Sequence, residues 1–292
     1  GIRECGRDWS SDVCSSDLTV LRLQKVQAKA SGRPNDFALQ SSGDAVLGLQ
    51  RLRWSTQAGV QQTDAKAWQA QVGQLSLGWQ KSDQAPVWSL ALDPAGQSAK
   101  DPLTVRWTSN DGLSNWHLAP GQASINGPLP GAVSLRWEAS TASAKANGQV
   151  HWQTRGSVPR LPLSWIEAIS PKSFTGLGLS SDLVLQARWE AAHDQSLHLQ
   201  ALLERNSGDL RINTNDARQP IVAAELSELR LQLDLNERQV ASSLRWNSAR
   251  AGRALVALST TLGDPRGPWQ WPDDAPVAAG IQLQSPPAQA WS

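Results

Sequence analysis

The 292-residue chain contains no methionine, no tyrosine, only two phenylalanines and only two cysteines. Each shortage removes a class of protein. Both cysteines, Cys5 and Cys14, fall in the first 14 residues. The body of the chain therefore offers neither a disulfide framework nor a thiolate metal site. No apolar run approaches the roughly 18 residues that a membrane-spanning helix needs. The net charge is only +1, and the basic residues are dispersed rather than gathered into the patch that nucleic-acid binding requires. What the chain has in abundance is tryptophan, with fifteen residues spread along its length.

Residues 1–18 are read as foreign to the protein. Arg7 to Leu18 runs Arg-Asp-Trp-Ser-Ser-Asp-Val-Cys-Ser-Ser-Asp-Leu, which resembles the conceptual translation of a sequencing-library adapter. Gly1-Ile2-Arg3 resembles the primer stretch upstream of it. The stretch has no apolar core of about 7–15 residues followed by a small-residue cleavage site, so it is not a secretory signal. From Thr19 onward 25 basic residues face 22 acidic ones, a net charge of +3.

The recurring pattern is a short alternating strand that ends in Arg-Trp. It occurs as Leu52-Arg53-Trp54, Val105-Arg106-Trp107, Leu135-Arg136-Trp137, Ala187-Arg188-Trp189 and Leu244-Arg245-Trp246. On a strand, the Trp and the apolar residue two before it share one face while the Arg points to the other. Between these strands lie turn signals. Asn110-Asp111-Gly112 separates Val105 and Trp107 from Trp116 and Leu118, and Asn147-Gly148 separates the strand of Val133, Leu135 and Trp137 from a return strand with Val150 and Trp152. The late part is the most regular. Leu183, Leu185, Ala187 and Trp189 alternate, Ala191 to Gln195 turns, and Leu197, Leu199, Ala201 and Leu203 alternate again. Ser207-Gly208-Asp209 turns into Leu210 and Ile212; Leu229, Leu231, Leu233 and Leu235 follow, then Leu244 and Trp246, then Ala254 to Leu262. Pro162 to Ile169 is expected to form one or two helical turns, and Gly267 to Pro276 is expected to be a loop. The fold class is all-β, with roughly 16–20 strands that would span ~75–95 Å if every strand lay side by side; an ordinary closed sandwich is one arrangement, and an extended, curled sheet with an apolar groove suits so uniform an apolar face better. The β-repeat region is divided at residue 160, into 19–160 and 161–292, with the sheet continuous across the division.

No cluster carries catalysis. His117 and His198 alternate with apolar residues and face away from the Leu and Trp face, and His193-Asp194 sits at a turn. Asp273-Asp274 lies among Pro and Trp residues, without the oxygen ligands a hard cation needs. Gly176-Leu177-Gly178-Leu179-Ser180 lacks the spacing of a nucleophile elbow or a phosphate loop, and is expected to permit a bend. No enzyme, cofactor or metal is therefore expected. The plain reading of the Trp residues is that they fill a core; the alternative is that they line an accessible apolar trough. Their alternation with aliphatic residues suits lipid better than sugar.

The stretch Gly178-Leu179-Ser180-Ser181-Asp182-Leu183-Val184-Leu185-Gln186-Ala187-Arg188-Trp189 resembles the TamB family of Gram-negative translocation and assembly modules, within the AsmA-like superfamily. Ser181 stands where that family's pattern has Gly. Leu202 to Ile212, with its Ser-Gly-Asp-Leu turn, the Leu229–Leu235 strand, the Gly263 turn and the Trp269–Pro276 loop are similar to the same family. The likeness is best over Leu161 to Ser292, and Thr19 to Arg160 shares only its style. The resemblance implies an internal fragment of a periplasmic protein, anchored in the inner membrane by a helix outside this chain. Its sheet would be curled like a taco around an apolar interior. The implied partners are phospholipid, an outer-membrane Omp85-type barrel (TamA-like) and outer-membrane protein clients. The expected groove residues are Leu183, Leu185, Ala187, Trp189, Leu197, Leu199, Ala201, Leu203, Leu229, Leu231, Leu233, Leu235, Leu244 and Trp246. Two other readings stand beside this one: a scaffold that templates barrel strands at a sheet edge, and a surface β-solenoid or adhesin-like repeat. The Arg-Trp spacings of 53, 30, 52 and 57 residues are irregular for a solenoid.

Overall fold

Alternating apolar and polar side chains suit an antiparallel sheet with two unlike faces, and most of the described residues take that form. The computed structural model describes residues 21–82, 84–92, 102–110, 113–145, 148–169, 179–213, 221–263 and 275–285. Four long strands come first: β1 (Leu21–Arg33), β2 (Asp36–Leu47), β3 (Gln50–Asp64) and β4 (Ala67–Gln80), each antiparallel to the one before. The next three ranks are each built of two short collinear strands. β5 (Val87–Leu92) and β6 (Leu103–Asn110) pair with the two halves of β4. β7 (Leu113–Leu118) then pairs with β6, and β8 (Gly121–Asn126) with β5. β9 (Ala132–Trp137) pairs with β8, and β10 (Ser140–Lys145) with β7. The long β11 (Val150–Pro162) spans both halves, meeting β10 at Val150–Gln153 and β9 at Gly156 and Ser157.

After β11 come a short helix, α1 (Leu163–Ile169), and β12 (Leu179–Ser181). The remaining strands are β13 (Val184–His193), β14 (Leu197–Ser207), β15 (Leu210–Asn213), β16 (Ile221–Ala223), β17 (Leu226–Asn236), β18 (Gln239–Ser248), β19 (Gly252–Thr261) and β20 (Val277–Gln284). β11, β13, β14, β17, β18, β19 and β20 pair in that order, while β12, β15 and β16 form a separate three-stranded sheet. Among the described residues the large sheet has 17 strands in fourteen ranks in chain order, and β1 and β20, at its two ends, each pair on one side only. At ~4.8 Å per step the ranks span roughly 62 Å. The ~75–95 Å expected from strand number is corrected, because three ranks hold two strands each and three strands lie outside the sheet.

The interruptions within those ranks line up. Pairing along β4 breaks between Val72 and Ser76, and along β11 between Gln153 and Gly156. Between them lie Ala119-Pro120, which separates β7 from β8, and Glu138-Ala139, which separates β9 from β10. Pro120 lacks the N–H that would continue the ladder. A few bonds stitch this crease: Ala119 N–H donates to Thr104 O at 2.9 Å, Glu138 N–H to Arg155 O at 3.0 Å, and the Trp137 indole N–H to Ala119 O at 3.0 Å.

Helix α1 forms where the helical turns were expected and packs on the apolar face at one end of the strands. Leu161, Leu163 and Ile166 pack against the buried cluster of Leu183, Leu185 and Leu226, and the Leu163 N–H donates to Leu183 O at 2.9 Å. Trp165 is buried and meets Trp88 of β5 edge-on, with ring centroids 5.5 Å apart.

Three local expectations are corrected. Asn147-Gly148 lies between β10 and β11 rather than between β9 and β11, because an unforeseen strand, Ser140–Lys145, intervenes. Ala191 to His193 continue β13, leaving the turn to Asp194–Ser196. Leu210 leads into the small sheet, not into the next rank of the large one. The Gly176–Gly178 bend and most of the Gly267–Pro276 loop lie outside the described residues, as do the adapter-like residues 1–18.

Candidate functional site

Residues directly opposite one another on paired strands share a face, so the register shows where the predicted groove residues fall. Ala187, Leu203, Leu231 and Leu244 lie in one row that continues through Val256 to Ile281. Beside it, Trp189, Ala201 and Leu233 form a row that continues through Ser242 to Leu258. Leu199 and Leu235 share a third row with Ala191, Val240 and Thr260. Leu229 stands opposite Trp246, and Leu197 opposite His193. Leu185 stands opposite Leu161 on β11, and Leu183 immediately precedes β13. The same face runs on toward the other edge, where Gly43, Trp54, Leu77, Leu90, Ile125 and Val133 stand opposite one another in turn.

Accessibility differs along the strands. At the α1 end, Leu183 and Leu185 are only 1% exposed. Toward the other end, Ala191, Leu235 and Thr260 are buried as well. Between them the rows open: Leu231 is 41% exposed and Leu258 44%, and the other expected groove residues are half-buried. On β20 Ile281 is 63% exposed and Leu283 77%.

The Arg-Trp pairs share one orientation, and three of them face a glycine across the ladder. In each of the five, the Trp is half-buried on the apolar face and the Arg is exposed on the other. Trp54 lies over Gly43, Trp137 over Gly121 and Trp189 over Gly156, each glycine directly opposite its ring and too close to it for a Cβ. In two of these the neighbouring Arg meets the residue next to the glycine: Arg53 Nε donates to Asp44 Oδ1 at 2.9 Å and Arg136 Nε to Gln122 Oε1 at 3.0 Å; Arg106 Nε likewise donates to Gln69 Oε1 at 2.8 Å, beside Trp68, the residue opposite Trp107. The Arg53 guanidinium holds the Asp44 carboxyl below the usual carboxylate range. Reading the Arg-Trp strands one at a time missed these partners, because a glycine in an alternating stretch carries no apolar signal.

Two aspartates join the small sheet to the large one. Asp182 Oδ1 accepts from the Asp209 N–H at 2.8 Å and Asp182 Oδ2 from Arg211 at 2.9 Å. The Asp209 backbone N–H first, and Arg211 after it, lower the Asp182 pKa. The Asp209 carboxylate in turn accepts from the backbone N–H groups of Leu210, Glu225 and Leu226 at 2.8–3.0 Å. Gly208 has φ +81°, and a side chain there would strike the Asp182 carbonyl.

An open cavity of 630 Å³ lies where β6, β7, β10, β11 and β13 adjoin, with Arg106, His117, His151 and Asp194 in its lining. His151 Nδ1 pairs with the Asp194 carboxylate, and its Nε2 is buried without a hydrogen-bond partner. Among the described residues, no three His, Cys, Asp or Glu side chains are grouped as a metal would need. No protein-family model, curated protein or solved structure matches the chain.

Proposed function

We propose that this chain is a periplasm-spanning segment of a TamB-like translocation and assembly module, whose apolar face shields acyl chains of phospholipid moving between inner and outer membrane. Such a protein would also support outer-membrane protein assembly, with an Omp85-type, TamA-like barrel as its partner and an inner-membrane anchor outside this chain. The observation that carries the reading is the row from Ala187 through Leu203, Leu231, Leu244 and Val256 to Ile281. It presents an apolar side chain on every strand it crosses, and its middle stays accessible. Leaving an acyl chain in water costs about 0.8 kcal/mol per methylene. A row of near-equivalent apolar rungs lets the chain slide without a deep trap. Burial at both strand ends with exposure between them supports a trough. The crease from β4 to β11 supports a curl, since it runs across the strands along the line where a taco would fold.

Leu231→Arg puts a charge in the middle of the open row. The chain is expressed in the periplasm and purified without detergent, and co-purified lipid is measured by mass spectrometry. The original sequence is expected to retain phospholipid that Leu231→Arg loses while keeping its strand circular dichroism. Equal lipid on both proteins would sink the groove assignment. One observation favours the strand-templating reading: β20 is exposed throughout, pairs only with β19 among the described residues, and carries no charged residue. Cross-links from barrel-protein clients to β20 rather than to the open row would select it.

A further inference from the structure

The tryptophans on β4 to β11 form a ladder with one rung missing. By register, Trp68, Trp107, Trp116, Ala142, Trp152 and His193 stand opposite one another on successive ranks of the apolar face. Trp68 stacks on Trp107 with centroids 6.1 Å apart, Trp107 on Trp116 at 5.6 Å, and Trp152 on His193 at 6.4 Å. At β10 the side chain is a methyl group. Trp116 and Trp152 therefore flank Ala142 without touching each other, and Trp116 stays 47% exposed although Trp107 covers one side of it. Ala142 itself is half-buried.

The size of this gap follows from the sheet. Two inter-strand steps separate Trp116 from Trp152 by about 9.6 Å. A single planar ring centred over Ala142 would lie about 4.8 Å from each, inside the roughly 4.5–7 Å range of aromatic pairs. Two rings in series would not fit. Indole faces carry the negative part of the ring quadrupole, so a ring held between two of them is favoured when it is electron-poor. The geometry points to a binding slot for one electron-poor planar ring, intercalated between Trp116 and Trp152 over Ala142. The slot does not depend on the lipid reading.

The test titrates the chain with 1,4-naphthoquinone, following binding by equilibrium dialysis and the indole–quinone charge-transfer absorbance. Ala142→Trp supplies the missing rung and is expected to weaken binding at least about tenfold and abolish the charge-transfer band, about the loss of one aromatic contact with its buried area. Ala142→Ser should leave the affinity within about twofold, since it adds a single atom. Unchanged binding in Ala142→Trp overturns the slot. Should that variant fail to fold, Trp116→Leu removes one wall and is expected to cost about tenfold, whereas Trp79→Leu, at another exposed ring on the same face, should change nothing. Equal losses in these two variants would mean diffuse binding and would also overturn the slot. Phospholipid retention should be unmoved by Ala142→Trp, so the slot and the conduit fail separately.

Discussion

At the scale of the residue, the Arg-Trp pairs couple the two faces of the sheet. At Trp54 and Trp137 a glycine on the facing strand gives the ring its room on the apolar face, and the adjacent Arg reaches a polar partner on the other; Trp189 has the glycine alone. The indole replaces the contacts that the glycine lacks, so the glycine is not a weak point of its strand. Gly156→Ala is expected to destabilise by about 1–3 kcal/mol, because the new methyl overlaps the Trp189 ring and the Arg136 carbonyl. Gly59→Ala, with open space around its Cβ, is the control in urea titrations, and an equal loss there would refute the packing account. Acid titration tests the Asp182 contacts. Its carboxyl is held below the ordinary 3.8, so its contribution is present above that value and is lost as pH falls through the lower folded value. Stability should therefore drop below about pH 4, and Asp182→Asn should flatten that limb.

At the scale of the element, strands and hairpins were legible because period-two alternation and Asn/Asp-Gly turns are local signals. The helical turns at Leu163–Ile169 were legible from the break in alternation before Pro171. The doubled ranks were not. Ser140–Lys145 is a strand of small and polar residues, Ser-Thr-Ala-Ser-Ala-Lys, with little apolar contrast between its faces. Nor does anything in Leu113–Leu118 alone say that it continues, collinear, into Gly121–Asn126. The small sheet escaped for a similar reason, since Leu210 continues the alternation while the contacts of Asp182 and Asp209 and the positive φ of Gly208 accompany the change of sheet. Removing the three N–H bonds to the Asp209 carboxylate should release the small sheet first. Asp209→Ala is expected to speed amide exchange at Leu210 and Leu226 while leaving β18 and β19 protected, and uniform exchange would show that the small sheet is not a separate unit.

At the scale of the whole molecule, the two edges are unlike. β1 carries Arg22, Lys25, Lys29 and Arg33 and a register shift between Gln24 and Gln27, both of which discourage further pairing. β20 has neither charge nor shift. The isolated chain is expected to self-associate as concentration rises, and Gly280→Pro on β20 should suppress this in sedimentation velocity; persistence in the variant would acquit that edge. The crease has a mechanical consequence. A ladder of continuous strands resists bending across its length, whereas aligned breaks concentrate compliance on one line, as perforation does in card. Bending of β4 to β11 is therefore expected to concentrate on that line, and faster amide exchange at Ala119 and Glu138 than within β13 and β14 is the measurement that checks it.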